Sequence, residues 1–175
     1  MILLIVGTNR KQALSNKIAA QYREILVEQG AAEVETLALE ELPADFAFSA
    51  LYEHNGKNPA FNALLARVSA AEKYVFIVPE YNGSFPGVLK TFIDGMSYPN
   101  GFRDKKCALV GLSSGIGGAG IALSHLTDIF HYLGMHVLAQ KPKLAQIERN
   151  MQEDRIQNPL YLELLQGQAK ALLQF

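Results

Sequence analysis

Tyr74-Val75-Phe76-Ile77-Val78-Pro79-Glu80-Tyr81-Asn82-Gly83-Ser84-Phe85-Pro86-Gly87-Val88-Leu89-Lys90-Thr91-Phe92-Ile93-Asp94-Gly95-Met96 is the stretch that decides how the chain folds. Residues 74–78 form an unbroken apolar run of aromatic and β-branched side chains, as expected of a strand buried on both faces of a parallel sheet. Pro79 removes a backbone donor and ends the ladder. Glu80, Tyr81, Asn82 and Gly83 make a loop, after which Val88, Leu89, Phe92, Ile93 and Met96 fall on one helix face. In an open α/β sheet, ligands bind where such loops leave the carboxyl ends of strands. An ordinary turn would account for the Pro, Asn and Gly, with Glu80 solvated. It would not account for a Tyr and a Phe on the same polar loop, because exposed aromatics usually have something to cover. The loop is therefore read as a binding loop.

Outward from this stretch, strands and helices alternate. Residues 2–6 are an apolar strand, and a helix over 15–29 carries Ile18, Tyr22, Ile25 and Leu26 as its stripe, with Gly30 as its stop. Residues 33–39 alternate like a less buried strand. Residues 42–59 read as irregular, broken by Pro43, Asn55, Gly56, Asn58 and Pro59, and a helix covers 60–71. After the helix that begins at Gly87, a strand is expected over 107–112 and a glycine-rich loop over 113–120. A helix then runs to Leu133 with Gly134 as its cap, followed by a last strand over 135–139 and a closing helix over 160–173. Five strands alternating with helices predict right-handed crossovers and a doubly wound parallel sheet between two helical layers.

The chain has 175 residues, enough for one domain with a real core, and residues 1–175 are read as a single domain. It is 49% hydrophobic and 19% charged with a net charge of −1, a globular composition without the basic footprint of nucleic-acid binding. The same balance disfavours an acidic carrier that docks onto basic partners. Cys107 is the lone cysteine and sits in an apolar run, so it is read as an inert buried thiol rather than a disulfide or metal ligand. The first residues lack the basic start of a signal peptide, and no apolar run reaches membrane-spanning length. The expectation is a soluble cytoplasmic protein with neither nucleic-acid nor membrane partners.

Three loops follow strands that should be central. In the first, residues 7–16, the hydroxyls of Thr8 and Ser15, the N–H groups of a helix start and the Arg10 charge suit a phosphate. This loop has neither the glycines of a dinucleotide fingerprint nor the Gly-Lys-Ser/Thr of a P-loop. A plain helix start with Ser15 as N-cap would explain only part of it. The second loop spans Pro79 to Pro86. The third, Ser113-Ser114-Gly115-Ile116-Gly117-Gly118-Ala119-Gly120, has glycines that let backbone approach a flat ligand. His125, His131 and His136 do not have metal-pair spacing and are read as partly exposed helix residues and a strand end. Ser113 lacks the nucleophile-elbow context of a hydrolase.

At these residues the chain resembles the NAD(P)H-dependent FMN reductase family, whose fold is flavodoxin-like. The resemblance runs through nearly the whole chain and is strongest in residues 79–90, which match the family's flavin loop. Gly7, Thr8, Asn9 and Arg10 stand at matching places in the phosphate loop. Ala13 departs where many members carry Ser, so one phosphate contact is missing here or moved to Ser15. The resemblance implies non-covalent FMN, its phosphate contacted by Thr8, Arg10, Ser15 and Asn16. Pro79, Glu80, Tyr81, Asn82 and Gly83 would address the ring, with Ser113 and Gly115 on its other side. It further implies hydride transfer from NAD(P)H through FMN to a small-molecule electron acceptor such as a quinone, a flavin or an azo or nitro compound, in ping-pong order. A homodimer or homotetramer is implied too, with the boundary near the helix from Gly87 and the loop of Tyr98, Pro99 and Phe102, whose aromatics would otherwise sit exposed beside the flavin. A flavodoxin-type electron carrier is the alternative, but it would have a more acidic surface and a first loop richer in Ser and Thr. A flavin-free scaffold protein would not need the intact second loop.

Overall fold

A computed structural model describes residues 1–97 and 101–175. The apolar run that opens the chain becomes β1 (Ile2–Val6), followed by α1 (Leu14–Glu28) and β2 (Val34–Ala38). A short helix α2 (Phe46–Ser49) and then α3 (Pro59–Ala70) lead to β3 (Lys73–Pro79), α4 (Gly87–Asp94), β4 (Lys106–Leu112) and α5 (Gly120–Tyr132). The chain closes with β5 (His136–Val137), β6 (Lys143–Leu144), the strand pair β7 (Met151–Gln152) and β8 (Arg155–Ile156), and α6 (Pro159–Gln174).

The main sheet runs β2-β1-β3-β4-β5, and every pairing in it is parallel. That order is the flavodoxin-like one, as expected. Alternation along β3 divides the core. Tyr74, Phe76 and Val78 face α3, α4 and α5, whereas Val75 and Ile77 face α1 and α6. The first face is aromatic: the Phe76 and Phe130 ring centroids lie 4.6 Å apart, and Phe102 meets Tyr74 edge-on at 5.4 Å. The second face is mainly aliphatic, and among the buried amides beside it is that of Gln168. Gln168 Oε1 accepts the Tyr22 hydroxyl at 2.9 Å, and its Nε2 donates to Leu109 O and Gln140 O at 2.9 and 2.8 Å. With all these bonds made, burying a polar group here carries no unpaired penalty.

Several expectations change. α1 begins one residue early, with Ala13 as its N-cap, so Ser15 lies inside the first turn and does not cap the helix. The expected last strand is two pieces. β5 pairs with Lys106 and Cys107, the chain leaves the sheet, and β6 returns after Pro142 beside Gly111 and Leu112. Residues 42–59 are not wholly irregular, since α2 puts Phe46 against Phe61 in the core. The β7–β8 hairpin was not expected. Its turn residues Glu153 and Asp154 take positive φ without the Gly or Asn that would advertise it. Phe102 is fully buried rather than exposed, because the ring cluster of Tyr74, Phe76 and Phe130 encloses it. Tyr98 and Pro99 lie outside the described residues.

Helix stops and the thiol follow the sequence. Gly134 takes φ 78° and lets Met135 N–H reach Phe130 O at 2.9 Å, closing α5. Cys107 is buried, and burial pushes its thiol well above the ordinary range. Among the described residues, no helix is long and apolar enough to cross a membrane.

Candidate functional site

In the parallel register Val6 stands beside Ile77, and Ile77 beside Val110, so β1, β3 and β4 end at one edge of the sheet. The three loops leave from that edge. Gly7 opens the first, and its N–H donates to Ile77 O at 2.9 Å. A Cβ there would sit 3.2 Å from that same carbonyl and from Leu89, a tight approach that glycine relieves. Thr8 is buried, and its Oγ1 accepts the Arg10 N–H at 3.2 Å and shares a hydrogen bond with the Tyr81 hydroxyl at 3.2 Å. α1 then begins with no side-chain cap and no acid in its first turn. Such a start leaves N–H donors and the positive end of the helix dipole open to an anion. Arg10 is exposed and forms no ion pair among the described residues.

The second loop is built around a tight turn. Tyr81 N–H donates to Ser84 O at 2.8 Å and Ser84 N–H to Tyr81 O at 3.0 Å, with φ of 51° at Asn82 and 75° at Gly83. This is the two-residue turn that an Asn-Gly pair favours. Two side chains fasten the loop to its neighbour. Glu80 Oε2 accepts the Ala119 N–H at 3.1 Å, and Ser84 Oγ shares a hydrogen bond with His125 Nδ1 at 2.9 Å.

The third loop is bonded to itself. Ser113 Oγ accepts the Gly118 N–H at 2.9 Å and donates to Gly115 O at 2.9 Å. Gly111 beneath it cannot change, because a Cβ there would lie 2.5 Å from Gly118 O.

These loops enclose a cleft of about 130 Å³ lined by Thr8, Arg10, Ser15, Pro79, Glu80, Tyr81 and Ser113 among the expected residues. Asn16, Asn82, Gly83 and Gly115 are not in its lining. Asn82 and Gly83 serve the turn, and the Gly115 carbonyl is taken by Ser113 and by the Gln146 N–H. Ile147 and Glu148 also line the cleft and were not anticipated. They arrive because Ile147 N–H donates to Ser113 O at 3.1 Å and Ser114 Oγ donates to Glu148 Oε1. No local motif marks this long-range return. A larger cleft of about 830 Å³ lies between α4 and α5, where Asp94 and Tyr132 mark the far ends of both helices. It is away from the strand carboxyl ends, so the smaller cleft carries the functional reading.

The smaller cleft fits the phosphate end of a nucleotide such as FMN. It offers the uncapped start of α1, the hydroxyls of Thr8 and Ser15 and the Arg10 guanidinium. The carboxylates in its lining, Glu80 and Glu148, are each engaged by a donor of the third loop. Drug-sized ligands occupy pockets of roughly 300–1,000 Å³, so a ring system bound here extends beyond the enclosed volume. The described residues hold no cluster of three or more His, Cys, Asp or Glu able to hold a metal ion.

Residues 1–147 match the sequence model of the NADPH-dependent FMN reductases. The NAD(P)H-dependent FMN reductase of Pseudomonas aeruginosa is 32% identical over 137 residues, covering 74% of this chain and 74% of that protein. A probable NADPH:quinone oxidoreductase 2 of Oryza sativa is 34% identical over 128 residues, covering 67% of this chain and 63% of its own length. Among solved structures, the FerB NAD(P)H:(acceptor) oxidoreductase of Paracoccus denitrificans superposes with a TM-score of 0.74 at 23% identity, covering 99% of this chain and 94% of its own. An apo NADH:FMN oxidoreductase does so with a TM-score of 0.78 at 16% identity, covering 98% and 87%. At these identities the superpositions speak to the fold.

Proposed function

Because this chain belongs to the NADPH-dependent FMN reductase family, we propose that it is an FMN-dependent oxidoreductase that moves reducing equivalents from NAD(P)H to a small oxidised acceptor. The observation that carries this reading is the convergence of Thr8, Ser15, Pro79, Glu80, Tyr81 and Ser113 from three strand ends on one cleft. FMN, when bound, supplies the hydride-accepting and electron-donating chemistry. The chain's part is to hold and orient it. Thr8, Arg10, Ser15 and the first turn of α1, including Asn16, would take the phosphate. Residues 79–83 would face the ring with their backbone groups, and Ser113 and Gly115 would shape the wall opposite. The relatives' names make quinones the first acceptors to try, followed by free flavins and azo and nitro compounds. A homodimer or homotetramer would cover ring surface that the small cleft leaves open, and light scattering at micromolar concentration would reveal a monomer if that is wrong.

Cofactor and class are tested together by the absorption spectrum of the purified protein before and after anaerobic NADPH. Flavin bands that bleach support the reading, and a protein that neither carries nor takes up FMN overturns it. If nicotinamide and acceptor take turns on one pocket face, initial rates with NADPH and a quinone varied together give parallel double-reciprocal lines. Intersecting lines would require both substrates to bind at once.

A further inference from the structure

Ile147 and Glu148 enter the lining of the candidate cleft on a segment that hooks back from β6. Three bonds pin this hook to the third loop. Gln146 N–H donates to Gly115 O at 2.9 Å, Ile147 N–H donates to Ser113 O at 3.1 Å, and Ser114 Oγ donates to Glu148 Oε1. The bend carries backbone strain, since Gln146 takes a φ of 45° without being glycine. Its other side is braced as well. Ala145 O accepts the Tyr161 hydroxyl at 2.9 Å, Asn150 Nδ2 donates to Gln146 O at 3.0 Å, and Ile147 is buried in the core beside α1. The backbone at Glu148 is thus held from two sides, and Ser114 aims its exposed side chain.

The lining divides by hydrogen-bonding sense. Thr8, Arg10, Ser15 and the open N–H groups of α1 are donors that suit a phosphate. Ser113 Oγ is engaged within its own loop. The strong acceptors are the carboxylates of Glu80 and Glu148. Glu80 stands on the loop assigned to the ring and is tied through Oε2 to the Ala119 N–H. Glu148 is tied through Oε1, and no hydrogen bond reaches its Oε2 among the described residues. It is the acceptor in the lining that stands outside the ring loop and keeps an oxygen to offer.

An ionised carboxylate only accepts, and it repels a phosphate, so its natural partner in a ligand is a hydroxyl or an N–H. Outside its ring, FMN carries such donors on the ribityl chain that joins the phosphate to the ring. A ligand with its phosphate at the first loop and its ring at the second must pass that chain through the same cleft. Glu148 lies just past residues 1–147, the stretch that matches the family, so the match does not assign it.

We propose that Glu148, held in place by Ser114, accepts a ribityl hydroxyl of FMN, so that the site reads the polyol linker as well as the phosphate. The inference rests on the FMN reading, and its test is a binding measurement that needs no turnover. Apoprotein is titrated with FMN, riboflavin and lumiflavin, the last being the ring without polyol or phosphate, and quenching of flavin fluorescence reports binding. High salt screens long-range repulsion between the carboxylate and the phosphate. Glu148→Ala should weaken FMN and riboflavin alike, each roughly tenfold, and leave lumiflavin unchanged. Glu148→Gln keeps an acceptor without the charge and should lose roughly threefold. Ser114→Ala should also lose roughly threefold, and nothing further when added to Glu148→Ala, because it acts through that carboxylate. Flavin affinities that Glu148→Ala leaves unchanged, or a loss that falls equally on lumiflavin, overturn the proposal. Tighter FMN with riboflavin unchanged would put the carboxylate against the phosphate and overturn it too. A Ser114→Ala loss that persists beside Glu148→Ala overturns the supporting role of Ser114. A parent protein that takes up none of the three flavins would instead remove the FMN reading, a result distinct from equal binding by parent and variant.

Discussion

The first and third loops begin alike and end differently. Each follows a central strand, buries a hydroxyl at its second position or close to it, and delivers the chain to a helix. Thr8 Oγ1 meets the Arg10 N–H and the Tyr81 hydroxyl, and the helix start beyond it stays uncapped. Ser113 Oγ is spent on Gly118 and Gly115 of its own loop, and the N–H of Ala119, where α5 begins, goes to Glu80. A hydroxyl after a strand therefore does not by itself indicate a ligand. What separates a binding loop from a structural one is whether its donors already have partners. The first loop keeps capacity for an anion, and the third supplies a fixed wall.

The largest expected effect breaks the wall. Gly111→Ala puts a methyl 2.5 Å from the Gly118 carbonyl and 3.0 Å from Leu123, which cannot be met without moving the loop. We expect a loss of about 3 kcal/mol of stability, at the upper end of overpacking costs, in urea titration. Arg10→Ala should do the opposite, weakening FMN by roughly 1.5–3 kcal/mol in titration of the apoprotein, with stability within about 0.5 kcal/mol of the parent. Unchanged FMN affinity would remove Arg10 from the site. Ser113→Ala leaves the buried Gly118 N–H without its acceptor and should cost about 1–2 kcal/mol of stability, with a smaller change in FMN affinity than Arg10→Ala gives. A larger loss of FMN than of stability would show that Ser113 touches the ligand and sink the contrast. The smallest effect sharpens it. Ala13 has the extended backbone of an N-cap, so Ala13→Ser should cap α1 and raise stability by roughly 0.5–1 kcal/mol in the ligand-free protein.

The parts of this molecule that were legible in its sequence are those where local chemistry and tertiary role agree. Residues 74–78 are apolar because β3 is covered on both sides, and Gly7 lies close against β3. Asn82-Gly83 announces a turn, and the turn is there. Legibility ends where a position is set from a distance. Ile147 and Glu148 reach the cleft through bonds to Ser113 and Ser114, more than thirty residues earlier. Phe102 reads as an exposed loop aromatic until the rings of Tyr74 and Phe130 are placed around it. β6 is too short, and too near Pro142, to show a period.

The buried amide of Gln168 has a bearing on where this protein can be divided. The family match ends at residue 147, yet the back of α1 is held by residues 154–168, beyond that limit. Tyr22 bonds to Gln168, Gln21 Oε1 accepts the Ile156 N–H at 2.9 Å, and Lys17 pairs with Asp154. A fragment cut at 147 would keep every residue expected from the sequence to touch ligand and lose the clamp that holds α1 to the sheet. The stretch by which the chain is matched to its family is therefore shorter than the stretch that holds α1 in place.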